Sequence, residues 1–361
     1  MTHLSSTEKK SLTSVGILIG LILGTMLGGT IVYHANTTES NPSQIAYVFN
    51  GLSSNVAIID TETKEILSKI DIAIQSGQYG AQVSNDQSRI YLIEHGGNRI
   101  FILDSQSLEI KSRIPAGKNL QHEGVFTKDG KYFLAISRDE ESLVIIDTEK
   151  EIVENKIKIG KAPHDVTIDN KNKFAFTTDT GSKTISKINI ENLEKIESYE
   201  LNNNPHMILS ANGKLYIGAS NPPKIIILES NNGEKLEEIE LQTEPHGIAL
   251  DMDKKILFVT LPKSNSIKAI NIDDFSTIKD IAVGEKPHNI EIMNDNTLIF
   301  VTNSGDGTVS IIDIETLTET KRITTGSGPH NTIFIESTTN NSNDINSNKE
   351  EEILSANFNC G

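Results

Sequence analysis

Between residues 45 and 337 the chain alternates short apolar runs with turn residues, and the runs recur with a period near 42. One run, in most units carrying a Tyr or Phe, lies at 46–49, 90–93, 133–136, 174–177, 215–218, 257–260 and 299–302. A second run ends in an acidic or amide residue at Asp60, Asp104, Asp147, Asn189, Glu229, Asn271 and Asp313, with successive gaps of 44, 43, 42, 40, 42 and 42. A third segment alternates apolar with charged residues, as in LEEIEL at 236–241, and a fourth usually opens on Pro-His. The runs are four to seven residues long, rich in β-branched side chains and of period two, which predicts strands. Asp129-Gly130, Asn212-Gly213 and Asp306-Gly307 supply hairpin turns between them. No sustained helical spacing interrupts the region.

Four strands per unit at this period predict one propeller blade per unit, and seven units span 45–337. A blade cannot bury both of its own faces, so the seven must close into a ring. The region starts on an aromatic strand and ends on a lone Pro-His strand at 329–335. The first unit lacks that strand, so the two ends are expected to pair in one mixed blade. Closure also removes exposed sheet edges.

The units IFVTN (299–303), VSIID (309–313) and GSGPHNTI (326–333) resemble the tandem repeats of the YVTN family, seven-bladed propellers of surface-layer and secreted proteins. The resemblance covers about 290 residues and implies an all-β propeller with the Pro-His strand innermost. It implies little about activity, because one fold hosts many functions.

Six histidines share one phase of the repeat: His122, His164, His206, His246, His288 and His330. Pro precedes five of them and Gln121 the sixth; Gln78-Tyr79 aligns with Gln121-His122, so Tyr79 is the seventh member. Equivalent positions in a closed ring lie on one circle, which the family resemblance places at the rim of the central channel. Two readings follow. Convergent imidazoles could hold copper or another transition metal, as the copper-cluster propeller of nitrous oxide reductase does, although a second copper domain and a Cys-based electron-entry site are absent here. Alternatively, a residue recurring in every blade is part of the packing. Strict alternation would put each His on the face of residues two and four later, such as Val166 and Ile168, with the imidazole neutral and bonded to a neighbouring blade.

The ends carry different information. Residues 15–33 (VGILIGLILGTMLGGTIVY) are 19 apolar or small side chains, about 28 Å of helix against a hydrocarbon core of about 30 Å. Lys9 and Lys10 precede the stretch and no Lys or Arg follows until Lys64, which puts 1–14 in the cytoplasm and the rest outside. A cleaved signal peptide ending at Ala35 would need a small residue where Tyr33 stands, so an uncleaved signal anchor is expected. Gly16, Gly20, Gly24 and Gly28 fall four apart on one helix face, the groove that lets two membrane helices approach, and predict a homodimer. Residues 34–44 read as a linker and 338–361 as an Asn- and Ser-rich tail without core residues.

Charge and motifs narrow the function. With 49 acidic against 33 basic residues, a net charge of −16 excludes a nucleic-acid binder. The single Cys, Cys360, excludes an internal disulfide or a Cys-built metal site. His95-Gly96-Gly97-Asn98 sits where other units have a hairpin turn, and no Gly-x-Ser-x-Gly elbow, P-loop or His-Glu-x-x-His accompanies it. The expectation is a membrane-anchored propeller on the extracytoplasmic side that binds a protein partner or small ligand. A copper or other transition-metal protein is the alternative, and a lactonase-type hydrolase the weaker third.

Overall fold

The structure, a computed structural model, describes residues 44–74 and 77–336, with the backbone alone at 122 and 123. Contacts divide the chain into Met1–Asn41 and Pro42–Gly361, and everything described belongs to the second unit. The expected anchor at 15–33 with its four glycines, most of the linker, and the tail at 338–361 lie outside the described residues. Among those described, no helix is long and apolar enough to cross a membrane.

The chain forms seven four-stranded antiparallel sheets. Blade 1 combines β1 (Gln44–Asn50), β2 (Asn55–Asp60) and β3 (Glu65–Asp71) with the last strand of the chain. Blade 2 is β4 (Tyr79–Val83), β5 (Arg89–Glu94), β6 (Arg99–Asp104) and β7 (Ile110–Pro115). Blade 3 is β8 (Leu120–Phe126), β9 (Tyr132–Ser137), β10 (Ser142–Asp147) and β11 (Ile152–Lys158). Blade 4 is β12 (Pro163–Ile168), β13 (Phe174–Asp179), β14 (Thr184–Asn189) and β15 (Glu194–Glu200). Blade 5 is β16 (Asn204–Ala211), β17 (Lys214–Ser220), β18 (Lys224–Glu229) and β19 (Lys235–Glu240). Blade 6 is β20 (Ile248–Asp251), β21 (Ile256–Leu261), β22 (Ser266–Asn271) and β23 (Thr277–Ala282). Blade 7 is β24 (Pro287–Ile292), β25 (Leu298–Asn303), β26 (Thr308–Asp313) and β27 (Thr318–Thr324), and β28 (Pro329–Glu336) ends the described chain.

The expected closure is present. β28 pairs antiparallel with β1, setting Ala46 opposite Phe334 and Val48 opposite Thr332. β28, β4, β8, β12, β16, β20 and β24 abut in that order and return to β28, so they are the innermost strands.

Burial explains the sequence pattern strand by strand. The two middle strands of a blade are covered on both faces by neighbouring blades and read as unbroken apolar runs. On β5, Ile90 and Leu92 pack with blade 1, whereas Tyr91 and Ile93 pack with blade 3. Period two thus shares each strand between two cores. The outer strands meet solvent on one side and alternate, as in β3. Every outer strand also carries a register slip against its neighbour. Such bulges twist a sheet edge away from intermolecular pairing.

Candidate functional site

Prolines open the inner strands at 163, 287 and 329 and stand second, at 205, in β16, where a missing N–H costs no ladder bond. The next residue is histidine, and there the ladder slips. Register is lost between Pro163 and Val166, Pro205 and Ile208, and Pro287 and Ile290. The alternation expected to run from His164 to Val166 and Ile168 is therefore broken by an extra residue. The slip turns the N–H after the histidine away from the ladder and onto a threonine hydroxyl of the adjacent strand. Asp165 N donates to Thr178 Oγ1 at 2.9 Å, Gly247 N to Thr260 Oγ1 at 2.6 Å and Asn289 N to Thr302 Oγ1 at 3.0 Å.

Each of these hydroxyls then donates to the histidine carbonyl of the next blade. Thr178 reaches His206 O at 2.7 Å, Thr260 reaches His288 O at 3.0 Å and Thr302 reaches His330 O at 3.3 Å. One hydroxyl both accepts and donates, so a single side chain stitches two blades. The bridged steps bring the imidazoles together: ring centroids are 3.6 Å apart for His164–His206, 3.7 Å for His246–His288 and 4.0 Å for His288–His330. At the remaining described step, His206 to His246, the threonine position holds Gly218 and the rings stand 5.4 Å apart.

Tyr79 behaves differently because β4 pairs without a slip, Tyr79 opposite Glu94 and Gly80 opposite Ile93. It takes the place that Pro163 holds opposite Asp179 in blade 4. Its ring is 1 % exposed and packs in the core between blades 1 and 2 with Phe49 and Ile74. Burial, then the Glu94 carboxylate, push the phenol up to about 12, with Arg99 opposing. Its carbonyl accepts from His330 Nδ1 at 3.1 Å. Beside Tyr79, Gln78, Glu94, His95, Gly96 and Gly97 line a cavity of about 210 Å³. There His95 Nδ1 meets Gln78 Oε1 at 2.9 Å, and Arg99 holds Glu94 at 3.2 Å.

Past the histidines, a channel cavity of about 330 Å³ is lined by Gln82, Asp165, Thr167, Met207, Asn289 and Glu291 among apolar and glycine neighbours. Its acids are engaged within the protein. Asp165 accepts from Val166 N at 2.6 Å and, across the blade boundary, from Ile208 N at 2.8 Å. Glu291 accepts from Asn289 Nδ2 at 3.3 Å.

For a metal, imidazole lone pairs in the ring plane must converge to about 2.0–2.1 Å from one point. The described rings instead present tilted faces to one another, at 32° to 46° in the close pairs. Among the described residues, no group of three or more His, Cys, Asp or Glu is placed to hold a metal ion. The side chain of His122 lies outside them. Sequence reasoning located the histidine column and missed the threonines, although the constant spacing of 14 from His164 to Thr178, His246 to Thr260 and His288 to Thr302 was there to be read.

No protein-family model matches this sequence, and no curated protein matches it. Solved structures do. A protein of unknown function from Desulfotomaculum acetoxidans superposes with a TM-score of 0.70 at 12 % identity, over 81 % of this chain and 99 % of that one. The periplasmic gluconolactonase of Pseudomonas aeruginosa gives 0.68 at 12 %, over 81 % and 99 %. A putative 6-phosphogluconolactonase from Bacteroides fragilis gives 0.67 at 16 %, over 84 % and 100 %. At such identities the likeness concerns architecture, and what it establishes, together with the sheet order, is that this chain is a seven-bladed β-propeller.

Proposed function

We propose that this chain is a binding module, held to the cytoplasmic membrane by residues 15–33, that presents the histidine-side mouth of its propeller to an extracytoplasmic protein partner or small ligand. The carrying observation is where the repeat breaks. In a ring of near-copies, features needed for packing recur in every blade, and a cluster of departures marks a place under another demand. At this mouth blade 2 departs at neighbouring positions: Tyr79 where blades 1, 4, 5 and 7 have Pro329, Pro163, Pro205 and Pro287, Glu94 where blades 1, 3, 4, 5 and 7 have Asn50, Ser137, Asp179, Ala219 and Asn303, and His95-Gly96-Gly97 in the adjoining turn. These residues surround the 210 Å³ cavity. The histidine column is packing in this reading, because its threonine bridges act on backbone and its rings lie tilted against one another. Lactone hydrolysis, the activity named for two structural neighbours, would need an available general base, and Asp165 spends both carboxylate oxygens on backbone N–H groups.

The test is site-specific photocrosslinking in intact cells, with benzoylphenylalanine at Asn98 beside the cavity and at Ile196 on the outer wall. An adduct at 98 and not at 196 is expected. Equal labelling at both, or none at 98, removes the proposal. Protease added to intact cells should degrade the propeller; full protection would place it on the cytoplasmic side.

A further inference from the structure

On the far side of the ring from the histidines, each blade meets the next in a groove with two covering positions. One is the residue opposite the last residue of the blade's third strand, such as Ile45 or Arg89. The other is the left-handed residue on the outer hairpin of the next blade. At four junctions the hairpin residue is apolar and packs down: Leu108 joins the cluster of Tyr47, Leu193 that of Leu134, Phe275 that of Tyr216 and Leu317 that of Phe258. The strand residue adds cover, as Ile45, Tyr132 and Ile256 do. At the junction with Gly233, the Tyr199 ring occupies the space a side chain would take. Lys64 reaches across its own junction to Thr320 Oγ1 at 3.0 Å.

Between blades 2 and 3 both covering positions are charged, Arg89 on the strand and Glu151 on the hairpin. They pair at 2.7 Å instead of packing down, and Glu151 also accepts from the Ser112 hydroxyl. The groove stays open as a cavity of about 410 Å³, within the range of about 300–1,000 Å³ usual for small-molecule sites. Tyr91, 2 % exposed, and the half-buried Phe126 border it, with their rings edge-on at 4.9 Å. A phenol at the Tyr91 position is a property of the repeat, since Tyr47 and Tyr216 recur there beneath the covering side chains of Leu108 and Phe275. What belongs to this junction alone is a charged cover, the space it leaves beside the phenol oxygen, and the charge around that space.

That charge is negative. Asp86, Asp129, Glu149 and Glu151 line the cavity against Arg89, a net of −3. Asp86 accepts from Ser84 and Ser88, and Asp129 from the Thr127 hydroxyl and the Lys131 N–H. These hydrogen bonds hold both carboxyls below their ordinary range, so the acids stay ionised, yet neutral donors bring no countercharge. Cations on the neighbouring hairpins are used elsewhere: Lys150 pairs with Asp147 at 2.8 Å, and the Lys131 ammonium rests 4.7 Å over the Tyr132 ring. Counting all three of these residues gives five acids against three cations, still −2. The field reaches the floor. After burial, Glu151, Asp147 and Asp86 push the Tyr91 phenol up to about 12 against Arg89, whereas a single carboxylate acts on Tyr47 and on Tyr216. Among the described residues no three His, Cys, Asp or Glu converge to hold a metal ion, so the charge is spread along the walls. Spread carboxylates beside an apolar ring match ammonium groups separated by methylenes. We propose that this groove binds an aliphatic di- or polyamine. Its ammonium groups pair with Asp86, Asp129 and Glu149 and donate to the Tyr91 oxygen, and its methylenes lie against Phe126.

The experiment is titration calorimetry of the full-length chain in a nonionic detergent at low ionic strength, against putrescine, spermidine, 1,4-butanediol, a tri-lysine peptide and magnesium chloride. Putrescine and spermidine should bind with a Kd in the millimolar range or tighter, the longer amine more tightly, and added salt should weaken both. The diol, which keeps the methylenes without the charge, should not bind. Two variants shift the charge in opposite directions. Glu149→Gln should weaken amine binding about threefold, and Arg89→Gln, which leaves four acids without a cation, should tighten it by about as much. Glu151→Leu, which installs the cover found at Leu108, Leu193 and Leu317, should weaken binding about tenfold or more while Tm holds or rises. Failure of both amines to bind overturns the proposal, as does a diol that binds as well as putrescine. Affinity unchanged in Glu149→Gln and Arg89→Gln overturns it even if Glu151→Leu folds poorly. Tri-lysine binding without amine binding would give the groove to a partner's basic segment, and magnesium binding abolished by Glu151→Leu would give it to a metal ion; either result overturns the amine.

Discussion

Three of the four described steps along the histidine column are bridged by a threonine and one is not, within one chain and one architecture. Where Thr178, Thr260 and Thr302 stand, neighbouring imidazoles approach to 3.6–4.0 Å; where Gly218 stands, they part to 5.4 Å. The comparison locates the cause of the close column in backbone stitching. The imidazoles are carried into contact by carbonyls that the hydroxyls hold.

The strongest way to break this account is to remove β28 by ending the chain after Thr325. That takes away the acceptor of Thr302 and the inner strand of blade 1 together. Cooperative unfolding should be lost, and a calorimetric transition like that of the full chain would refute the closure argument. Next in size is Thr260→Val, which keeps shape while stranding the Gly247 N–H and the His288 carbonyl. Each stranded group costs about 1–3 kcal/mol, and Tm should fall by several degrees. A change within error would show the bridge to be incidental. The same substitution at 178 and 302 should rank with it.

A subtler comparison sets Asp179 against Asn303, equivalent residues at the ends of β13 and β25. Asp179 is fully buried and accepts from Ser186, Thr184 and Thr177 hydroxyls; Asn303 donates to the Thr308 and Ser310 hydroxyls. Burial raises the Asp179 pKa, and its three hydroxyl donors only partly offset this. The folded state then holds a proton the unfolded chain has released, so stability falls as pH rises from the ordinary carboxyl value through the raised one. Asp179→Asn should raise Tm at pH 7, with the gain vanishing toward pH 4. A lower Tm at pH 7 would mean that the hydroxyl cage already favours the carboxylate. The smallest effect expected is a gain of about 0.5–1 kcal/mol in Gly218→Ser, which offers the missing hydroxyl. Its new Cβ meets Pro245 at 3.3 Å, a contact that must ease slightly. Denaturant melts resolve this, and destabilisation would show that the wide step is set by Pro245 and not by the absent hydroxyl.

Much of the architecture was legible because a period of 42 with four apolar runs leaves few folds that bury every run. The pairing of 46–49 with the last strand followed from counting strands. The site was legible only in part. Histidines spaced 40 or 42 apart reveal a circle, but which way the rings turn depends on a one-residue slip in register, and nothing in Pro-His announces a slip. Tyr79 shows the cost: aligned by sequence with the histidines, it lies one step away because β4 has no slip. Arg89 and Glu151 look like ordinary surface charges until strand register and hairpin position set leucines, isoleucines and aromatics at most of the same places in the other blades.

Partners in the closing blade stand 288 positions apart, Ala46 with Phe334. A chain emerging from its N-terminus therefore completes blade 1 last, and until then β1 offers an unpaired apolar edge to any strand nearby. Assembly of this ring is thus a race between its own final segment and that of a neighbouring copy. Slower synthesis or crowding should tilt the outcome toward strand-exchanged oligomers.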